Sequence, residues 1–203
     1  MQARKSLARR PPPCYRNTVN TAETIAALLG VANVALVARR SVWNYPFALA
    51  MVSLYGVIFF EEKLYSDALL QIFFFIINIY GWIMWRRAQG ETGEVQARTM
   101  SGRLRFGWFV VTLAATLIWS GAMAHYTDAA LPWIDGPIAM TSIVAQILLS
   151  RRYWENWILW IVVDIASIGM YWVKDLHVTT ALYVLFLGLS VWGLMGWRRS
   201  MAK

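Results

Sequence analysis

Of 203 residues one is cysteine, Cys14, and two are histidine, His125 and His177. A lone thiol excludes an intramolecular disulfide framework and a cysteine-built metal site. Two isolated histidines leave no ligand set for a metal enzyme, so neither a metal nor a cofactor is expected. Charge is scarce as well, at 15% of residues against 59% hydrophobic, whereas soluble domains carry about 25% charged residues. A bilayer is therefore the expected solvent. No glycine loop for a nucleotide and no chain of membrane carboxylates is present, so an energised pump is not expected. The formal charge of +8 does not indicate nucleic acid, because the basic residues fall in pairs at the ends of apolar runs and form no stripe on a soluble face.

What is present is a series of apolar runs, each long enough to cross a hydrocarbon core of about 20 helical residues. Seven spans are predicted: 21–38, 43–60, 66–85, 106–124, 132–150, 156–173 and 177–197. The basic, proline-rich stretch "RKSLARRPPP" predicts a disordered tail over 1–20. It is followed by no apolar segment of the kind a cleaved leader has. The distribution of arginine and lysine sets the orientation. With the N-terminus outside, Arg39, Arg40, the basic residues between the third and fourth spans, Arg151, Arg152 and the terminal "RRSMAK" all face the cytoplasm. The opposite loops hold Glu61, Glu62, Asp67, Asp128, Asp135 and Asp175 against only Lys63 and Lys174. Arg4, Lys5, Arg9, Arg10 and Arg16 dissent, since an odd number of spans puts them outside.

Sliding the chain over itself by 112 positions aligns "ARRSVWNYPF" with "SRRYWENWIL" and "IYGWIMWRR" with "VWGLMGWRR" without a gap. Arg39, Arg40, Asn44, Gly81, Trp85, Arg86 and Arg87 then match Arg151, Arg152, Asn156, Gly193, Trp197, Arg198 and Arg199. The reading is an internal repeat; the bland alternative is that two basic-flanked membrane spans resemble each other. The repeat predicts an all-α membrane protein with a 3+1+3 arrangement. Residues 21–87 form a first three-helix unit, 88–131 a linker with the fourth helix, 132–199 a second unit, and 200–203 a C-terminal tail. A displacement of four spans makes the units parallel, as in transporters whose substrate site lies between the halves.

Two spans carry polar residues where lipid tolerates none. In "QIFFFIINIYGWIMWRR" Gln71, Asn78, Trp82 and Trp85 fall within about 60° on a helical wheel. In "ENWILWIVVDIASIGMYW" Asn156, Trp157, Trp160, Asp164, Ser167 and Tyr171 share an arc of about 100°. An unsatisfied carboxamide in hydrocarbon costs a few kcal/mol, and an aspartate at mid-span about 2.5–3.5 kcal/mol. These faces therefore meet protein, water or a polar ligand. The structural alternatives are hydrogen-bonded glue between helices and a protonated or hydrogen-bonded Asp164. The halves differ here: Gln71, Asn78 and Trp82 correspond to Tyr183, Ser190 and Leu194, and Val52 to Asp164. An asymmetric molecule suits that pattern, one end stacked on indole and the other hydrogen-bonded to carboxamides. Trp faces and Asp164 favour a cationic heterocycle. Pro46 reads as a first-turn residue of the second helix or as a bend.

The stretches "WNYPFAL", "LYSDALLQIFFFIINIYGWIMW" and "ENWILWIVVD" resemble the PnuC family of nicotinamide riboside transporters, over essentially residues 21–199. The resemblance implies an architecture like that of SWEET sugar transporters. It also implies facilitated diffusion of nicotinamide riboside through a homotrimer in a bacterial inner membrane, and trapping by a cytoplasmic riboside kinase. It carries Gln71, Asn78 and Trp82, with Asn156, Trp157, Trp160 and Asp164, into the substrate site. Tyr183 and Asn44 are added on the repeat. Relatives of the family imply thiamine or riboflavin as alternative substrates. A retinal protein lacks its lysine in the last span, and neither a heptahelical receptor nor a membrane enzyme accounts for the repeat or supplies a reactive constellation.

Overall fold

In a computed structural model, residues 13–61, 65–89, 95–127, 131–173, 175 and 177–202 are described. They form seven helices: α1 (Pro13–Ala38), α2 (Asn44–Glu61), α3 (Tyr65–Arg87), α4 (Gly102–Tyr126), α5 (Pro132–Ser150), α6 (Asn156–Val173) and α7 (His177–Met201). All seven are long and apolar enough to cross a membrane, and among the described residues the only β pairing is two isolated bridges, Gln89 with Val95 and Arg98 with Tyr153. Each expected span coincides with a helix. The first helix begins at Pro13, within the stretch expected as tail, and residues 1–12 lie outside the described residues. Pro46 sits in the first turn of α2, where its missing N–H has no intrahelical partner to lose.

The paired arginines close helices. At the end of α1, Arg40 N–H donates to Val37 O at 2.8 Å and Ser41 N–H to Leu36 O at 3.0 Å; at the end of α5, Arg152 donates to Leu149 O at 2.8 Å and Tyr153 to Leu148 O at 3.0 Å. This is the Schellman pattern, which needs one residue in the left-handed region. Arg40 (φ 56°) and Arg152 (φ 66°) supply it in place of the usual glycine. Four residues on, the Nδ2 of Asn44 and of Asn156 each donates at 2.6 Å, to Ser41 O and to Tyr153 O. The two tight turns are thus built alike, bond for bond.

Helix packing repeats the same correspondence. α1 packs on α2 and α2 on α3, as α5 packs on α6 and α6 on α7; α1 also meets α7, as α5 meets α3, while α4 packs on α5. The core lies at the arginine-rich end, where Tyr45, Trp85, Trp157 and Trp197 gather with Val37, Val42, Val95 and Leu149. Trp85 Nε1 donates to Leu149 O at 3.2 Å and Trp197 Nε1 to Val37 O at 3.0 Å. Each indole thereby adds a second donor to a carbonyl in the last turn of a helix, one that already accepts the N–H of Arg152 or of Arg40. The rings approach because two helices offer no side chain: a Cβ on Gly81 would collide with the Tyr45 ring, and one on Gly193 with the Trp157 ring. Small residues permit this close approach in membranes, where packing and not water exclusion holds helices together. Replacing Gly81 or Gly193 by valine forces out the facing ring, and each change should cost about 1–3 kcal/mol. Thermal unfolding in detergent should show both destabilised, whereas Gly188→Val, where a Cβ meets nothing, should leave the melting temperature nearly unchanged.

Candidate functional site

Two buried polar pairs join the helices, with Asn78, Asp164 and Ser190 near mid-length and Gln146 near the C-terminal end of α5. On α3, Asn78 is 4% exposed. Its Nδ2 donates to Phe74 O at 2.8 Å, one turn back, and its Oδ1 accepts from Gln146 Nε2 on α5 at 3.0 Å. The second pair joins α6 to α7, where Ser190 Oγ donates to Asp164 Oδ2 at 2.8 Å. Asn78 and Ser190 stand 112 positions apart. The matching helices therefore offer a hydrogen-bonding group at the same point, one turned to α5 and the other to α6. Hydrocarbon dictates such pairing, because a buried polar group without a partner loses its hydration for nothing.

Aromatic rings extend the α6–α7 pair. Tyr171 and Tyr183 lie with ring centroids 5.2 Å apart, and Tyr183 meets Phe186 edge-on at 5.8 Å. Tyr171 stands seven residues beyond Asp164, and Tyr183 seven before Ser190, so each shares a helix face with its polar partner about two turns away. Among the described residues, every arginine lies at or near a helix end or in a connection. The mid-span chemistry is thus carboxamide, hydroxyl, carboxylate and ring faces, suited to a neutral or cationic polar ligand with hydroxyls. Among the described residues it holds no fixed cation for an anion.

The other expected residues are distributed differently. Gln71 is half-buried and lines a 410 Å³ groove between α2 and α3 with Val52, Ser53, Gly56, Ala68 and Phe75. The carboxamide stripe of α3 is therefore divided, Gln71 toward α2 and Asn78 toward α5. Trp82 is half-buried against the aromatic core, and Trp160 is half-buried on α6. Trp157 is enclosed in that core, 5.8 Å from the Trp197 ring, and its Nε1 has no partner among the described residues. Asn44 and Asn156 commit their amide N–H groups to the turns before α2 and α6. Gln146 escaped the sequence reading, although it carries the signal that marked Gln71 and Asn78, a lone carboxamide in an apolar run, "TSIVAQILLS".

The profile of the family described as nicotinamide mononucleotide transporter matches residues 20–199. The nicotinamide riboside transporter PnuC of Neisseria mucosa is 35% identical over 190 residues, covering 87% of this chain and 71% of that protein. The Escherichia coli protein of the same name is 28% identical, covering 88% and 85%. The riboflavin/roseoflavin transporter RibM of Streptomyces davaonensis is 27% identical, covering 86% and 83%. A crystal structure of the vitamin B3 transporter PnuC superposes with a TM-score of 0.75 at 32% identity, over 89% of this chain and 82% of that one. With a profile match across nearly all its membrane helices, the chain belongs to the nicotinamide mononucleotide transporter family, as a multi-pass membrane transporter and not an enzyme.

Proposed function

We propose that the chain carries nicotinamide riboside across a bacterial inner membrane by facilitated diffusion. Its N-terminus is then outside and its C-terminus cytoplasmic, and a cytoplasmic kinase traps the substrate as its phosphate. The names of the PnuC relatives support the substrate. The observation that carries the choice within this chain is the mid-span chemistry itself, the Asn78–Gln146 and Asp164–Ser190 pairs with no cation beside them among the described residues. A pyridinium riboside has a positive ring for Asp164 and the faces of Tyr171 and Tyr183, and hydroxyl and amide groups for the carboxamides. The corresponding mononucleotide adds a phosphate that the site has no arginine or lysine to receive.

The matched helix contacts support a reading of α1–α3 and α5–α7 as two parallel units joined by α4, with the substrate between them as in other repeat-built transporters. Gln71, Trp82 and Trp160 are assigned to the walls of the path. Asn44, Asn156 and Trp157 act on the site through the turns and core that place α2, α6 and α7. A homotrimer is the expected assembly. Riboflavin is the second reading, favoured by the likeness to RibM; it offers no fixed cation to Asp164.

Titrating the purified protein with four compounds separates these readings. Nicotinamide riboside should bind, with the mononucleotide, thiamine and riboflavin each at least about tenfold weaker, a difference of about 1.4 kcal/mol. Equal binding of riboside and mononucleotide would contradict the assignment. A double-mutant cycle tests the polar pair independently of substrate. Asn78→Ala and Gln146→Ala should be coupled in thermal stability by about 0.6–1.7 kcal/mol, the range found for hydrogen bonds between membrane helices. Additive effects would mean that the pair is not formed.

A further inference from the structure

The turn between α5 and α6 meets the segment before α4 at the arginine-rich end. Arg98 N–H donates to Arg152 O at 2.8 Å, and Trp154 N–H returns a bond to Arg98 O at 3.1 Å. These tethers bring Arg98, Arg151 and Arg152 around one 260 Å³ pocket, whose remaining walls include Tyr153 from the turn and Tyr80 and Met84 from α3. The Arg98 guanidinium lies over the Tyr153 ring at 5.3 Å, which holds it at the rim. None of the three arginines is ion-paired among the described residues. The carboxylate of the same turn, Glu155, is engaged elsewhere, accepting from Arg105 at 2.9 Å and from Met100 N–H at 2.9 Å. Burial first, and Arg98 second, lower the pKa of the Arg152 guanidinium from its ordinary value. Three cations around one cavity repel each other unless an anion lies between them.

The matching turn shows that such a pocket is not a general consequence of paired boundary arginines. There Val95 replaces Arg98 as the tethered residue, with its N–H on Arg40 O at 3.2 Å, and it is 2% exposed. Arg39 lies over the Trp192 ring at 5.8 Å, and Trp192 holds the position that corresponds to Tyr80. One corner thus has two arginines with an apolar plug, the other three arginines with a cavity. Snorkelling to the membrane surface explains the first; it does not explain the second.

We propose that the pocket binds the phosphodiester of an anionic phospholipid headgroup. Tyr80 is 39% exposed on the outer face of α3, in a span whose surroundings are acyl chains, so the pocket opens where lipid headgroups lie. Guanidinium forks match phosphate oxygens in pairs, and Tyr80 with Met84 forms an apolar wall along which a glycerol backbone and acyl chain descend. Basic pockets between helices at a membrane boundary hold such headgroups.

Native mass spectrometry of the full chain in detergent, with added phosphatidylglycerol, tests the site. The protein should retain phosphatidylglycerol in preference to phosphatidylcholine. Arg98→Gln and Arg152→Gln should each lower that retention at least about fivefold, the loss of one charge-assisted hydrogen bond, while Arg98→Lys restores part of it and Arg39→Gln leaves it unchanged. Arg151→Gln removes a pocket charge without touching the tethering residues and should also lower retention, so a folding defect in the other two does not shelter the proposal. Equal retention of both lipids, or an equal loss in Arg39→Gln, would overturn the site. Displacement of the lipid by millimolar inorganic phosphate would assign the pocket to a free anion and overturn the lipid assignment.

Discussion

The architecture depends on two crossing hydrogen bonds, Trp85 Nε1 to Leu149 O and Trp197 Nε1 to Val37 O. Each joins the end of one helix to the end of another far away in sequence, α3 to α5 and α7 to α1. Both carbonyls already accept one turn N–H, from Arg152 and from Arg40; the indole fills the second lone pair and brings a large ring face with it. The consequences run outward from there. The rings require Gly81 and Gly193 beneath Tyr45 and Trp157. The turns before α2 and α6 require Arg40 and Arg152 in a left-handed conformation, with Asn44 and Asn156 bonding back to the chain. This cluster packs the arginine-rich end of the helices, and the buried Asn78 and Asp164 lie toward mid-span.

At mid-span the controlling quantity is the cost of polarity in hydrocarbon. An aspartate at the centre of a membrane helix is unfavourable by about 2.5–3.5 kcal/mol on insertion scales. A hydrogen bond between membrane helices averages about 0.6 kcal/mol. The Ser190 bond to Asp164 therefore does not by itself offset the presence of that carboxylate. The imbalance is the physical reason to assign Asp164 a role toward a ligand. The Asn78–Gln146 pair is closer to balance, because both carboxamides are uncharged, share one hydrogen bond, and Asn78 finds a second partner in Phe74 O.

The spans and the correspondence between residues 38–47 and 150–159 were legible in the sequence, because span length and repeated arginines are one-dimensional signals. The local geometry was only partly so. Paired arginines suggested membrane boundaries, but glycine is the usual residue at a left-handed helix end, so nothing marked Arg40 or Arg152 as the residue that adopts it. A helical wheel puts Gln71 and Asn78 on one face, whereas the structure turns Gln71 toward α2 and Asn78 toward α5. Seven residues are about 10 Å of helix, and over that rise one face of α3 passes from α2 to α5. Gln146 was visible in the same terms but belongs to a helix whose polar content was not weighed. The placements of Asn44 and Asn156 follow from bonds to the turn three residues back, and that of Trp157 from tertiary contacts; no single-helix pattern contains either.

We propose that a nicotinamide riboside is held by the mid-span polar groups of α3 and α6. Calorimetric titration of that riboside into the wild-type protein and the Asn78→Ala and Asp164→Asn variants tests it most directly. Each substitution should weaken binding by at least about tenfold, or 1.4 kcal/mol, with the folded protein still melting cooperatively. Unchanged affinity in both variants would place the substrate elsewhere and contradict the account.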